Sequence, residues 1–395
     1  MNNTCVISIG SLASFSRGLT YSRNDEVDFS ENVVLRSNNI DLATNTLNYD
    51  ELKYISDAIV IPNDKKLQRN SIFMCMSNGS KQHLGKVAYI DKDYPYAFGG
   101  FMGLIRPNEE LIVPKLLYYY FCSSKFKRFL SSIGNGANIN NIKFVDIAKD
   151  CISIPEKLIQ QSIVVELDKI NELIRLKKEQ LKDYDNLAQS IFYEMFGDPI
   201  ENEKGWEVKK LREVCECITD GDHMPPPKSD KGVPFVTIGN INKDTRQIEF
   251  DKTFFVPKDY FDNIPYTKKP KQGDILYTVT GSYGIPLLIT FDKEFCFQRH
   301  IGLLRPNGLI NSIYLYMWAS NKSVKGQADV VATGIAQRTV SLNSLRGFNI
   351  ILPPLPLQQL FAQRIELIEK QKAEVQRTIS NLETLLASRM QYWFD

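Results

Sequence analysis

The chain has 395 residues, of which 43% are hydrophobic and 11% aromatic, so it can bury real cores but is too long for one ordinary domain. Its 48 Lys and Arg side chains nearly balance its 46 Asp and Glu side chains, which excludes a disordered polyelectrolyte and a uniformly basic coat for nucleic acid. The sequence contains neither a run of about 18 apolar residues nor a signal-peptide pattern at its start. We therefore expect a cytoplasmic protein of two or three domains.

The cysteines are scattered along the chain, at positions 5, 75, 122, 151, 215, 217 and 296. They form no CxxC pair, and the chain has only three His residues to join them. Disulfide frameworks and zinc sites both need regular or closely spaced ligands. The sequence therefore predicts reduced thiols and no metal site.

The first globular segment, residues 1 to 155, contains short β-rich runs separated by Gly, Asn and Pro. Helical patches such as residues 114 to 130 are mixed with these runs. This mixture predicts an α+β domain with a curved sheet and long loops.

Residues 156 to 198 predict a long central helix that is entered from Pro155 and ended by the sequence Gly197-Asp198-Pro199. Its apolar positions recur at alternating spacings of three and four, which is typical of a coiled-coil seam. The predicted seam consists of Ile163, Leu167, Ile170, Ile174, Lys177, Leu181, Tyr184, Ala188, Ile191 and Met195.

Residues 199 to 352 predict a second α+β domain, and residues 353 to 395 predict a second long helix. The second helix repeats the seam at Phe361, Ile365, Ile368, Lys372, Val375, Ile379, Leu382, Leu386, Arg389 and Trp393. Two stripes in one register favour pairing of the two helices, and the chain connectivity favours an antiparallel coiled coil. The alternatives are that each helix packs on its own domain or that the seams form a dimer.

An internal repeat accounts for this organisation. Residues 136–197 align without a gap on residues 334–395, and GLIRPN at 103–108 matches GLLRPN at 302–307. Upstream of these segments the offset drifts by a few residues, as expected for loop insertions. The chain is therefore two diverged copies of one unit.

The second copy carries distinctive segments around its helix. They are TGIAQRTVSLNSLRGFNIILPPLPLQQLFAQRI before and into the helix, GWEVKKLREVC at 205–215, and the helix ends FYEMFGD and QYWFD. With the tandem halves, these segments resemble the specificity (S) subunits of type I restriction-modification systems, the HsdS family. The first half departs from the pattern, since it enters its helix through IPEKLIQQ and has no counterpart of Trp206.

The resemblance implies two target-recognition domains that read a bipartite, asymmetric sequence in double-stranded DNA. It also implies that two methyltransferase (M) subunits dock on the paired helices and that restriction (R) subunits join them. Adenine N6 methylation and S-adenosylmethionine then belong to the partners, so this chain needs no catalytic residue, cofactor or metal. Two diverged domains on a spacer suit two different half-sites.

Under this interpretation, the polar loop residues are candidates for reading base edges and phosphates. The candidates in the first half are Arg36, Asn38, Asn39, Asn78, Ser80, Lys81, Gln82, Asn138, Asn140, Asn141 and Lys143. Those in the second half are Asn240, Ser282, Tyr283, Gln298, Arg299, His300, Gln337, Arg338 and Thr339. Asn and Gly also serve turns, so a purely structural role for single residues stays open.

Two other functions remain open from the sequence alone. A coiled-coil scaffold or assembly protein without DNA readout would have the same repeat, although loops rich in Asn, Gln and Arg argue against it. A nuclease or methyltransferase would need catalytic motifs. The sequence has neither the [ND]PP[FYW] motif that adenine methyltransferases use on a flipped base nor a glycine-rich loop for S-adenosylmethionine.

Overall fold

The computed structural model describes residues 5–133, 141–334 and 337–395. These residues form two compact units, one of Met1–Lys178 with Arg377–Asp395 and the other of Glu179–Gln376. The predicted domain edges at residues 155 and 352 separate globular parts from helices, whereas the compact units divide both long helices. The physical reason is that the ends of the helices carry core residues of the globular parts.

The first unit contains the elements up to residue 178. Its strands are β1 (Cys5–Ser8), β2 (Ala13–Arg17), β3 (Glu26–Val27), β4 (Asn32–Leu35), β5 (Lys53–Ile55), β6 (Ser71–Cys75), β7 (Val87–Ile90), β8 (Ala97–Phe98), β9 (Met102–Pro107) and β10 (Cys151–Ile154). Its helices are α1 (Ile9–Leu12), α2 (Pro114–Cys122), α3 (Ser124–Ile133), α4 (Phe144–Lys149) and the first part of α5 (Lys157–Phe196).

The main sheet of this unit has the order β2-β9-β6-β7 and is antiparallel throughout. A second sheet, β3-β5-β4-β8, ends in the parallel pair β4–β8, and β1 pairs with β10. All five residues of β6 are buried because the strand is covered on both faces: Ile72 and Met74 contribute to one apolar cluster, and Phe73 and Cys75 contribute to another. This alternation follows the two-residue period of a strand.

The second unit repeats the order of elements. Its strands are β11 (Glu207–Lys210), β12 (Cys215–Asp220), β13 (Val233–Val236), β14 (Ile241–Asn242), β15 (Gln247–Ile248), β16 (Phe254–Val256), β17 (Ile275–Thr278), β18 (Pro286–Leu288), β19 (Cys296–Phe297), β20 (Ile301–Pro306) and β21 (Asn349–Leu352). Its helices are α6 (Leu211–Val214), α7 (Lys258–Asn263), α8 (Ser312–Ala319), α9 (Lys322–Val331), α10 (Leu342–Arg346) and α11 (Leu355–Phe394), the last of which extends into the first unit.

The sheets of the second unit correspond to those of the first. Its main sheet has the order β12-β20-β17-β18, its smaller sheet has the order β16-β13-β19, and β11 pairs with β21. As in the first unit, the smaller sheet ends in a parallel pair, here β13–β19. The tandem α+β repeat predicted from the sequence is thus confirmed.

Each long helix enters its unit through the same polar junction. The Gln160 side chain accepts a hydrogen bond from the Val113 N–H at 2.8 Å and donates to the Pro155 carbonyl at 2.9 Å. The Gln358 side chain makes the matching bonds with the Asn311 N–H and the Pro353 carbonyl, both at 2.8 Å. Because both amides are buried, each satisfies loop groups that water cannot reach.

The two long helices run antiparallel within each unit. In the first unit, the Lys178 Nζ lies 2.9 Å from a Glu383 carboxylate oxygen, and the Arg389 Nη2 lies 3.0 Å from Glu166 Oε2. In the second, the Lys372 Nζ lies 2.8 Å from an Asp185 carboxylate oxygen. The sum of each pair of residue numbers is nearly constant, as antiparallel pairing requires.

Half of the predicted seam residues are buried and the rest are half-buried. The buried members are Ile163, Leu167, Ile170, Ile174, Ala188, Phe361, Ile365, Ile368, Val375 and Ile379, and Leu181, Tyr184, Ile191, Leu382 and Leu386 are half-buried. Toward the helix ends the stripes also join the globular cores: Phe192, outside the predicted seam, stacks 5.7 Å from Tyr314. No helix in the described parts of the chain is both long and apolar enough to cross a membrane.

Candidate DNA interface

Four separated segments of the second unit meet where its strands end. The Gln298 N–H donates to the Val236 carbonyl at 3.0 Å, and the Val279 N–H donates to the His300 carbonyl at 2.9 Å. The Gly281 N–H donates to the Arg338 carbonyl, also at 2.9 Å. The four segments, which we call the second loop cluster, are residues 237–240, 279–284, 298–300 and 337–339. Candidate residues that are far apart in the sequence therefore lie together.

Arg338 is an exposed residue of the second loop cluster, and the half-buried Tyr283 lies beside it. The Arg338 guanidinium donates to the Asp329 carbonyl at 2.8 Å and lies 5.6 Å from the Tyr283 ring centroid. The Tyr283 hydroxyl donates to the Asp329 carboxylate at 2.8 Å, and this bond raises the pKa of Tyr283. A neutral hydroxyl and a positioned guanidinium suit contacts with phosphates and base edges.

The segment Gln298-Arg299-His300 adds donors and acceptors to this cluster. The Gln298 Nε2 lies 2.9 Å from the His300 Nδ1. Burial and, secondarily, the neighbouring Arg299 charge lower the pKa of His300, so its neutral ring accepts from the amide. The Arg299 side chain is exposed. Gln337 is exposed as well, and Ser282 and Thr339 are half-buried.

The first unit has the same backbone frame. The Gly99 N–H donates to the Leu35 carbonyl at 3.0 Å, and the Met76 N–H donates to the Phe101 carbonyl at 3.0 Å. Ser77 pairs with Asn141 across a β-bridge, as Thr280 pairs with Thr339 in the second unit. Residues 36–39, 76–82, 99–101 and 141–143 therefore form the first loop cluster.

The candidates of the first loop cluster differ in exposure. Asn38, Ser80, Gln82, Asn141 and Lys143 are exposed, and Arg36 and Asn78 are half-buried. The Asn78 amide donates to the Ser37 hydroxyl at 2.9 Å, which ties two segments of the cluster together. Lys81 begins the short turn Lys81–His83. Asn138 and Asn140 lie outside the described residues.

Asn39 and Asn240 have a different role from the one the sequence suggested. Both side chains are buried, and each caps a short 3-10 turn by accepting the N–H of the residue three positions earlier, at 2.8 Å. The Asn39 amide donates to the Glu51 carbonyl at 3.1 Å, and the Asn240 amide donates to the Lys252 carbonyl at 2.9 Å. Because these polar atoms are used inside the fold, the two residues shape the loops and present no free group to a ligand.

Sequence reasoning missed one segment of the first loop cluster, Gly99-Gly100-Phe101. It occupies the position that Gln298-Arg299-His300 holds in the second cluster, with the same hydrogen bonds to the neighbouring strand ends. The side chain of Phe101 is 73% exposed. The signal was present in the sequence, since the offset of 199 between the two RPN motifs also aligns the three residues at 99–101 with 298–300.

Among the described residues, no group of three or more His, Cys, Asp or Glu side chains is placed to hold a metal ion. The exposed groups of both clusters are amides, hydroxyls, guanidinium and ammonium groups and one phenyl ring. Groups of these kinds contact phosphates and base edges in nucleic acids.

Comparison with known proteins gives a consistent result. The chain is 23% identical over 403 residues to the EcoKI type I restriction enzyme specificity subunit of Escherichia coli K12, covering 94% of this chain and 83% of the relative. A chain from a structure of type I R-M complex assembly matches with a TM-score of 0.59 at 18% identity, covering 98% of this chain and 96% of that one. The S subunit from M. genitalium matches with a TM-score of 0.55 at 14% identity, covering 100% and 96%.

A family model matches both halves of the chain. The model of the type I restriction modification DNA specificity domain matches the chain twice, at residues 1–183 and 203–384. Each match covers one globular half and most of the helix that follows it. The chain therefore belongs to the family of type I restriction-modification DNA specificity subunits.

Proposed function

We propose that this chain gives a type I restriction-modification complex its DNA sequence specificity and reads a bipartite, asymmetric target, with one half-site for each loop cluster. The observation that carries the proposal is that the two units share one loop frame but present different side chains from it. A conserved frame with diverged side chains is what two readers of different sequences require.

The distribution of charge supports binding in a larger complex. Residues 1–155 carry 17 basic and 15 acidic side chains, and residues 199–352 carry 20 and 17. The helical segment 156–198 carries 6 basic and 9 acidic side chains, and the helical segment 353–395 carries 5 of each. The positive excess lies in the globular halves but is small, so the isolated chain binds DNA weakly and partner subunits supply phosphate contacts.

The paired helices are the proposed docking sites for two methyltransferase subunits, which restriction subunits then join. Several large apolar side chains lie exposed on the helices outside the seam, including Leu158, at 73%, and Leu367, at 62%. These side chains are available for contact with partner subunits. In this assembly the partners carry S-adenosylmethionine and the catalytic residues, and this chain is a non-catalytic reader.

Methylation-sensitive genome sequencing tests the proposal. Cells that contain the methyltransferase subunits are compared with and without the full chain. We expect a split motif of methylated adenines only when the chain is present. The double variant Gln337→Ala/Arg338→Ala should change one half-site, whereas Arg212→Ala, an exposed arginine outside both clusters, should leave both unchanged. Assembly of the complex without any chain-dependent methylation would favour a scaffold instead.

A further inference from the structure

Phe101 is an exposed aromatic residue inside a polar loop cluster. Its carbonyl accepts hydrogen bonds from the Met76 and Ser77 N–H groups, at 3.0 and 3.1 Å, which hold its backbone beside the loop that carries Asn78. Its side chain is nevertheless 73% exposed. The fold therefore fixes the backbone that carries this ring without burying the ring.

Of the two glycines before Phe101, Gly99 is not demanded by the fold, whereas a Cβ on Gly100 would meet the Thr20 Oγ1 at a tight 3.3 Å. Neither Gly99 nor Gly100 has a positive φ. A Cβ on Gly99 would meet its nearest neighbour, the Arg36 Cγ, at an ordinary 3.7 Å. The equivalent positions in the second unit carry Gln298 and Arg299 on the same backbone frame. At Gly99 a side chain would fit, so the bare backbone at that position leaves room for a ligand to approach closely.

We propose that Phe101 is a specificity-determining residue that recognises a thymine in the half-site of the first unit by contact with its C5-methyl group. A phenyl ring makes no conventional hydrogen bond to a base edge, and the thymine methyl is the apolar group that the major groove presents. The bare glycine backbone lets the DNA approach until the ring reaches that methyl. His300 holds the equivalent position in the second unit and reads by polar contact.

This inference rests on the proposed function and is tested in the complete complex. Methylated motifs are mapped for the wild-type chain and for Phe101→Ala, with Phe29→Ala as the matched control. Phe29 is 79% exposed but precedes β4, whereas the first loop cluster begins after that strand. The half-site of the first unit is the one that Gln337→Ala/Arg338→Ala leaves unchanged.

We expect Phe101→Ala to make one A·T position of the first half-site degenerate and to leave the second half-site and the gap intact. Phe29→Ala should have no effect on the motif. An unchanged motif for Phe101→Ala, a relaxed G·C position, or a first half-site without A·T pairs would overturn the inference while the proposed function stands. Absence of any chain-dependent motif would instead overturn the proposed function.

A second measurement changes the DNA, so that its result for the wild-type complex does not depend on how well a variant folds. The wild-type complex methylates a duplex of the mapped motif and the same duplex with uracil in place of that thymine. Loss of one buried methyl predicts a rate about three- to tenfold lower with uracil, and Phe101→Ala should methylate both duplexes equally. Equal rates for the wild type would contradict the methyl contact.

Discussion

The two units use the same backbone to place different side chains, and the difference is sharpest at two sites. In the loop clusters, Gly-Gly-Phe in the first unit stands where Gln-Arg-His stands in the second. Within the RPN motifs, Arg305 of the second unit forms a buried ion pair with Asp274. In the first unit, Arg106 donates to the Gln68 side chain at 2.6 Å instead. The side chains at equivalent positions of the two units have thus diverged while the backbone geometry has stayed the same.

The buried ion pair of the second unit offers the strongest test of this comparison. Arg305 and Asp274 are each 1% exposed, with their nitrogen and oxygen atoms at 2.8 and 3.0 Å. Asp274→Ala leaves an uncompensated buried guanidinium and should cost about 3–5 kcal/mol of the free energy of unfolding. Ser71 holds the equivalent position in the first unit, and Ser71→Ala should cost about 1 kcal/mol. Peptide-resolved hydrogen exchange measures the stability of each unit separately. Equal losses of stability for the two variants would contradict the proposed difference between the units.

The glutamine junctions should behave alike, because their geometry is the same in both units. Gln160→Ala and Gln358→Ala each leave a buried loop N–H unsatisfied, which costs about 1–3 kcal/mol. Urea unfolding of the full chain, followed by peptide-resolved exchange, measures both costs. Exposed Gln161→Ala and Gln359→Ala are the matched controls. A large difference between the two junctions would show that one of them is supported by other contacts.

Each unit contains the end of one long helix, α11 in the first unit and α5 in the second, and the two ends are held differently. In the first unit, Glu166 accepts from Arg389 and, at 3.1 Å, from the Trp393 ring N–H. The corresponding residues of the second unit are Arg364, Ile191 and Met195. Because Glu166 and Arg389 are about a third exposed, Glu166→Gln should cost only about 0.2–1 kcal/mol. The hydrogen bond from Arg389 lowers the pKa of Glu166 in the folded protein. The stabilisation is therefore present above the pKa of Glu166 in the unfolded chain and is lost as the pH falls through the lower pKa of the folded state. Thermal unfolding between pH 7 and pH 3 tests this, and Arg364→Ala is the control.

We expect the smallest effect, a pH dependence of local stability, at the Gln298–His300 pair. Burial lowers the pKa of His300, so the folded unit binds its proton less readily than the unfolded chain. The stability that comes from the neutral ring is fully present above the pKa of His300 in the unfolded chain. It declines as the pH falls toward the lower pKa of His300 in the folded unit. Hydrogen exchange near residues 296–301 should quicken between pH 7.5 and pH 5.5, after correction for the intrinsic rate. His300→Gln should remove this dependence, and residues 97–102 of the first unit should not show it.

Periodicity and self-similarity determined much of this protein from the sequence. The three-and-four spacing predicted both long helices, because burial of a stripe depends only on helix geometry. The shared register of the two stripes and the chain connectivity predicted their antiparallel pairing. The repeat predicted two α+β units of one fold. The sequence also singled out Arg338 and Gln298 as polar loop residues, since side-chain chemistry is visible without a structure.

Only the tertiary structure decided which polar residues are available to a ligand. Asn39 and Asn240 resemble Asn38 in the sequence, yet their side chains are buried as turn caps, and burial depends on segments 9 to 12 residues away. The place of Phe101 in a reading cluster likewise depends on hydrogen bonds to Met76 and Ser77, more than 20 positions earlier. Local pattern reports what a side chain can do, whereas packing between distant segments decides whether it is free to do it.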